Sequence, residues 1–188
     1  MAYGFKPVRV YGAAAATPNC VNDYAVASGY SENIFTGDPV KMTTDGTIIL
    51  ATVGAPILGI FAGVEFTAAN GDIKFSKYWP DDQVATNIKA YVYDDPKTVF
   101  IVESDQDTTA LVAADKGTNC DLIAGTGSTT TGQSAYSVDS STSGVGSDIG
   151  TKVLGSAEED GSFGATGTPS DVYVLLNEHF YSAPTAGI

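Results

Sequence analysis

Apolar and polar positions alternate in short runs along this chain, and turn-forming residues separate the runs. The clearest stretch is residues 34–66, IFTGDPVKMTTDGTIILATVGAPILGIFAGVEF. Ile34-Phe35 precedes Thr36-Gly37-Asp38-Pro39, Val40-Lys41-Met42 alternates, and Asp45-Gly46 follows. Asp-Gly between β-type runs predicts a hairpin, because Gly tolerates positive φ and Asp hydrogen-bonds its own backbone. Residues 47–53 are β-branched and apolar, Gly54-Ala55-Pro56 interrupts, and residues 57–66 resume. The pattern predicts three strands joined by short turns, a meander.

The flanking segments follow the same grammar. Residues 3–11 alternate loosely around Phe5, Val8 and Val10, with Pro7 inside the run, which suits an edge strand. Gly12 and the small residues after it lead to a turn at Thr17-Pro18-Asn19, and Tyr24, Val26 and Tyr30 punctuate a polar stretch. Residues 1–32 therefore read as an N-terminal arm or edge-strand extension, packed either on a neighbouring subunit or on the chain's own barrel. Residues 87–94 alternate, with Ile88, Ala90, Val92 and Asp94 on one face. With the Asp95-Pro96-Lys97 turn and residues 98–103, they predict a second hairpin.

Residues 105–116 are the one helix candidate, with Asp107 or Thr108 as cap, Ala110, Leu111, Ala113 and Ala114 as helix formers, and Gly117 as stop. Further short strands are expected at residues 120–124, 134–139 and 151–154, with a loop over residues 140–150. Residues 171–180 should close the sheet through Val172, Val174 and Leu176, and the tail from Ser182 should be frayed or bound to a partner. The expected fold is all-β, a small β-barrel or β-sandwich built from meander hairpins. It spans residues 33–188, either as one unit or as two β modules, 33–103 and 104–188.

Composition sharpens this picture. Only 16% of residues are charged against 43% hydrophobic, which argues against disorder and for a buried core. The net charge is −13. Residues 1–103 carry 7 basic and 11 acidic side chains and residues 104–188 carry 2 and 11, so the second part is the more acidic and is expected to face solvent. Such a chain is repelled by phosphate backbones and anionic lipid, so neither nucleic acid nor membrane is an expected partner. No signal peptide and no apolar run of membrane-spanning length is expected. Cys20 and Cys120 lack metal-type spacing and read as two reduced thiols.

Candidate chemistry is sparse. His179 is the single histidine, so any Ser/His/Asp or Cys/His catalysis must use it, and it reads as structural beside Glu178. Soft metal ligands are limited to His179, Cys20 and Cys120. The Gly125-Thr126-Gly127-Ser128-Thr129-Thr130-Thr131-Gly132 run lacks the lysine of a phosphate loop and reads as a flexible or hairpin-forming loop. Adjacent acids such as Asp81-Asp82 and Asp94-Asp95 point to opposite faces of a strand and do not converge as glycosidase pairs do. Asp105 and Asp107 have part of a calcium-loop spacing, which fails beyond those two. Solvated turns are the simpler reading, and no cofactor or metal is expected. Trp79, the single tryptophan, suits a core, a barrel rim or an interface.

The ordered series Gly37-Asp38-Pro39-Val40, Lys41, Asp45-Gly46 and PILGIFAGVEF resembles the small β-barrel of head-decoration (cement) proteins of tailed bacteriophages. The wider pattern is similar to structural proteins of marine and freshwater phages. Further matching pieces are Tyr78-Trp79-Pro80, Ala90-Tyr91-Val92-Tyr93-Asp94-Asp95-Pro96, the Gly127-Ser128-Thr129-Thr130-Thr131-Gly132 loop and Leu175-Leu176-Asn177-Glu178-His179. The resemblance runs over residues 33–179. It implies a non-catalytic virion protein on the capsid exterior, bound to the major capsid protein, associated with itself as a homotrimer, and present in the host cytoplasm during assembly. Position and composition place the capsid or subunit contacts on Phe5, Val8, Tyr11, Tyr24, Tyr30, Gly37, Asp38, Pro39 and Trp79. The alternative is a tail or fibre module that binds a host surface glycan through its Tyr- and Trp-bearing loops.

Overall fold

The structure is a computed structural model, and it describes residues 2–12, 21–146 and 150–182. Cys20, the Thr17-Pro18-Asn19 turn and the tail beyond Ser182 lie outside the described residues. The chain is all-β, with a nearly closed barrel-like sheet and further sheets. In chain order the strands are β1 (Lys6–Val10), β2 (Val21–Tyr24), β3 (Ile34–Phe35), β4 (Pro39–Met42), β5 (Ile48–Leu50), β6 (Gly59–Ala68), β7 (Ile73–Ser76) and β8 (Tyr78–Trp79). They continue as β9 (Ala85–Tyr93), β10 (Thr98–Ser104), β11 (Asn119–Cys120), β12 (Leu122–Ile123), β13 (Ser137–Val138), β14 (Thr151–Ser156) and β15 (Ser170–Leu176).

One sheet runs β2-β9-β6-β4-β5 with β7 also on β6, another runs β11-β14-β15-β10-β13-β12 with β1 also on β10, and β3 pairs with β8. Two hydrophobic cores result. One gathers Ile34, Val40, Ile48, Leu58, Phe61 and Trp79, among others. The other gathers Phe5, Ile57, Ile60, Phe100, Val138 and Val174, among others. The two meet along the approach to β6 and its first residues, where Ile57 and Ile60 enter one core and Leu58 and Phe61 the other. This is why residues 57–61 read as a continuous apolar run: a segment covered on both faces has no side to leave polar. Gly59 lies against the end of β9, and a Cβ there would lie 2.3 Å from the Tyr93 carbonyl oxygen.

Four expectations are corrected. The Asp45-Gly46 hairpin forms, pairing Val40 with Leu50 and Met42 with Ile48. However, β6 pairs with the other edge of β4, through Pro39 with Ile60 and Val40 with Gly59, so the three strands are no meander. The 51–58 connection is long enough to carry the chain across β4, and β6 needs an apolar layer on each face. The second predicted hairpin also fails: β9 pairs with β2 and β6, whereas β10 pairs with β1, β13 and β15. The 95–97 turn hands the chain from one sheet to the other.

The predicted helix is reduced to a 3-10 turn at Ala113–Asp115. Gln106, fully buried and at φ +52°, accepts the Leu111 N–H (2.7 Å) and donates to Ser170 Oγ (2.9 Å), so a side chain takes the backbone partner a helix would have used. Only Leu111 of this segment reaches the core, too little apolar surface to hold a helix. Finally, β15 does not close its sheet; it lies between β14 and β10, with Val172, Val174 and Leu176 inward as expected.

The described parts of residues 1–32 pack on this chain itself. β1 is an edge strand on β10, bulged between Pro7 and Arg9, and β2 is an edge strand on β9.

Candidate functional site

The Gly37-Asp38-Pro39 turn sits at the seam between the two cores. The Gly37 carbonyl accepts the Phe5 N–H (3.0 Å) and its own N–H donates to the Phe61 carbonyl (2.9 Å). The Phe61 N–H donates in turn to the Asp38 carbonyl (2.9 Å). Gly37 takes φ +98°, and a Cβ there would press on the Phe5 backbone, so only glycine meets both demands. The Asp38 carboxylate accepts the Phe35 N–H (2.7 Å) while the Asp38 N–H donates to the Phe35 carbonyl (3.0 Å), which closes the turn on itself. Burial pushes the Asp38 carboxyl up to about 6, and hydrogen bonds from Ser134 and the Phe35 backbone pull in the other direction.

Asp38 forms part of the wall of an open cleft of about 450 Å3, between the 50–53 and 124–126 segments, with Glu32 and Tyr136 also on its walls. The Tyr136 hydroxyl donates to the Ala51 carbonyl (3.4 Å). Burial, with the charges of Asp38 and Glu32, holds that phenol up at about 12. Tyr30 donates to Glu32 (2.6 Å) and accepts the Leu50 N–H (3.3 Å). The cleft thus gathers a buried carboxyl that can hold a proton near neutrality and an exposed carboxylate already engaged by a phenol. Sequence reasoning, which tested only adjacent acids, missed this pairing. Residues 32 and 38 lie six apart, but residue 136 comes from far along the chain, and no local pattern links the three.

A second polar cluster surrounds His179, which is fully buried. The 178–180 segment clamps the approach to β6, since the Ile57 N–H donates to the Glu178 carbonyl (2.8 Å) and the Phe180 N–H to the Ile57 carbonyl (2.9 Å). His179 Nδ1 accepts the Tyr181 N–H (3.1 Å), which assigns the neutral ring its proton on Nε2. Among the described residues, Nε2 is buried without a hydrogen-bond partner. Burial holds the imidazole below its ordinary value, against the opposing pull of the Asp94 and Asp95 charges and the Asp94 backbone. Asp94 itself is buried and accepts from Asn22 Nδ2 (2.8 and 3.0 Å) and the Tyr24 hydroxyl (2.5 Å), with Tyr24 reaching Tyr181 (3.1 Å). No hydroxyl or thiol hydrogen-bonds to the ring among the described residues. Cys120 is buried, and its thiol is pushed up to about 12, chiefly by burial.

Asp105, Asp107 and Asp139 each bring one carboxylate oxygen within 4.8 Å of the others. The sequence supplied two members of this group and the fold supplies the third. Their oxygens already serve local turns: Asp105 accepts from the Ser140 N–H and hydroxyl, and Asp139 from the Ser141 N–H and hydroxyl.

The predicted contact residues divide by exposure. Val8, at the β1 bulge, and Tyr11 are exposed, and Tyr24 and Tyr30 are half-buried. Phe5, Gly37, Asp38, Pro39 and Trp79 are buried within the chain. Phe5 packs edge-to-face on Phe100 (6.1 Å), and Trp79 packs on Phe66 (5.5 Å). Trp79 is therefore not available on a loop surface for stacking on a sugar.

No protein-family model, curated protein or solved structure matches the chain.

Proposed function

We propose that this chain is a structural protein of a tailed-bacteriophage virion. In this reading it binds the exterior of the assembled capsid, against the major capsid protein, stabilises the shell, and catalyses no reaction. The naming of that partner, and of a homotrimer as the working unit, rests on the resemblance described above. One observation on this molecule supports the structural reading: segments that bear the resemblance build and join the two cores. The 37–40 turn ties Phe5 to Phe61, Trp79 fills one core, and the 175–179 segment ends in the clamp on Ile57. The Asp38 carboxylate holds its own turn, and the Asp94 carboxylate binds Asn22 and Tyr24 of β2.

The physical mechanism is multivalent. A rigid body that contacts several capsid subunits turns each later contact into an intramolecular one, so individually weak contacts together resist shell expansion. The acidic surface would keep decorated particles apart.

The test mixes the purified chain with mature heads that lack it. Co-sedimentation at saturating stoichiometry, with heads that then survive higher temperature, is the expected result. Virions that carry no copy of this chain on their exterior would overturn the reading.

A further inference from the structure

The hairpin tip between β6 and β7 is made by Ala69, Asn70 and Gly71, all exposed. The Gly71 N–H donates to the Ala68 carbonyl (2.9 Å), and the Ala68 N–H donates to the Asp72 carbonyl (2.8 Å). Gly71 takes φ +90°. A three-residue hairpin loop of this kind ends in a left-handed residue, and that place calls for glycine. The residue before it is Asn70. Its Oδ1 accepts the Asp72 N–H (3.2 Å), and its Nδ2 donates to the Asp72 carboxylate (2.6 Å). The carboxamide is thus turned forward along the chain, towards the residues that follow it. Asn70 is also the one asparagine of the sequence followed by glycine.

We propose that Asn70 is a site of spontaneous deamidation, and that the change loosens β7. The Gly71 backbone nitrogen attacks Cγ of Asn70. The N–Cγ bond forms, the Cγ–Nδ2 bond breaks, and the proton of the Gly71 N–H leaves with Nδ2 as ammonia. Water then opens the succinimide at either of its carbonyls, to aspartate or to isoaspartate. Glycine carries no side chain to hinder the attack. The Asp72 N–H sits on Oδ1, the oxygen on which negative charge gathers as the new bond forms. Attack waits for the Gly71–Ala68 hydrogen bond to open, and an exposed hairpin tip opens at little cost. The loop needs glycine at 71, so the fold itself keeps the vulnerable pair. Either product harms the loop. Aspartate replaces the Nδ2 donor with a second carboxylate facing that of Asp72, and isoaspartate adds a methylene to the backbone between Ala68 and Asp72. Among the described residues β7 pairs with β6 alone, so no second strand holds it in place. The proposal is independent of the capsid reading.

Ageing the full chain in mildly alkaline buffer at physiological temperature, followed by peptide mapping in a mass spectrometer, tests it. The peptide that holds residues 69–72 should gain the mass difference between amide and acid before any other asparagine peptide does. Part of the product should be isoaspartate, detected by enzymatic carboxyl methylation. Asp45-Gly46 and Asp160-Gly161 can reach such an imide only by losing water, and they regain it on opening, so the mass change separates Asn70 from both. In the aged chain, and in Asn70→Asp without ageing, the 73–76 amides should exchange hydrogen faster than in fresh wild type. Asn70→Gln, whose extra methylene disfavours ring closure, should keep its mass through the same treatment. An Asn70 still intact when an unstructured peptide of the same residues has converted overturns the proposal, and so does earlier conversion of another asparagine. Conversion that leaves exchange at 73–76 unchanged overturns the claim on β7.

Discussion

Two buried titratable side chains give this protein opposite responses to pH. The Asp38 carboxyl is raised from 3.8 to about 6 in the folded chain, so the folded state holds a proton that the unfolded state has released. Its contribution to stability is complete below 3.8 and is lost as pH rises through about 6, a swing of about 3 kcal/mol at most. Urea unfolding at several pH values should show this slope in the wild type and its absence in Asp38→Asn, which keeps an oxygen to accept the Phe35 N–H. His179 works the other way. Its folded value lies below the ordinary 6.5, so the unfolded chain takes up a proton first on acidification. Stability from this group is full above 6.5 and falls as pH drops towards the depressed folded value, because burial disfavours the charged imidazolium. His179→Asn, which retains an acceptor near the Tyr181 N–H, should flatten the acid-side loss. The two variants, measured in parallel, separate the two slopes.

At the level of elements, what the sequence made legible was the existence of strands and turns. Alternation located most of the strands, and Asp45-Gly46 located its hairpin, because period and turn chemistry are local properties. The partner of each strand was not legible. β9 and β10 are neighbours in the chain joined by a good turn, yet Asp94 is tied to Asn22 and Tyr24 of β2, and β10 belongs to the other sheet. The helix expectation failed for a similar reason, since Gln106 finds its partners at Leu111 and Ser170. As for the site, the importance of the 37–39 turn was visible in its residue types, whereas its inward orientation depends on Phe5 and Phe61, which arrive from elsewhere. Gly59 offers a test of strand approach. Gly59→Ala places a methyl group 2.3 Å from the Tyr93 carbonyl, so β9 must shift. A loss of about 1–3 kcal/mol is expected in chemical denaturation. A variant as stable as the wild type would mean that β6 and β9 are less tightly apposed than described.

Over the whole molecule, two cores with different residues share one boundary. Trp79 lies in one and Cys120 in the other, and both are buried, which supplies an independent probe for each. In a Cys20→Ser background, tryptophan emission and labelling of the Cys120 thiol should report the same denaturant midpoint, because neither core keeps its packing once residues 57–61 move. Separate midpoints would show that the halves hold together independently. The same boundary dictates how the polypeptide can be divided. A cut in the 95–97 turn would leave the C-terminal fragment without Ile57 and Ile60, and the N-terminal fragment with those two side chains bare. Fragments produced apart would therefore be sticky and poorly soluble, and would regain their shape only on being mixed.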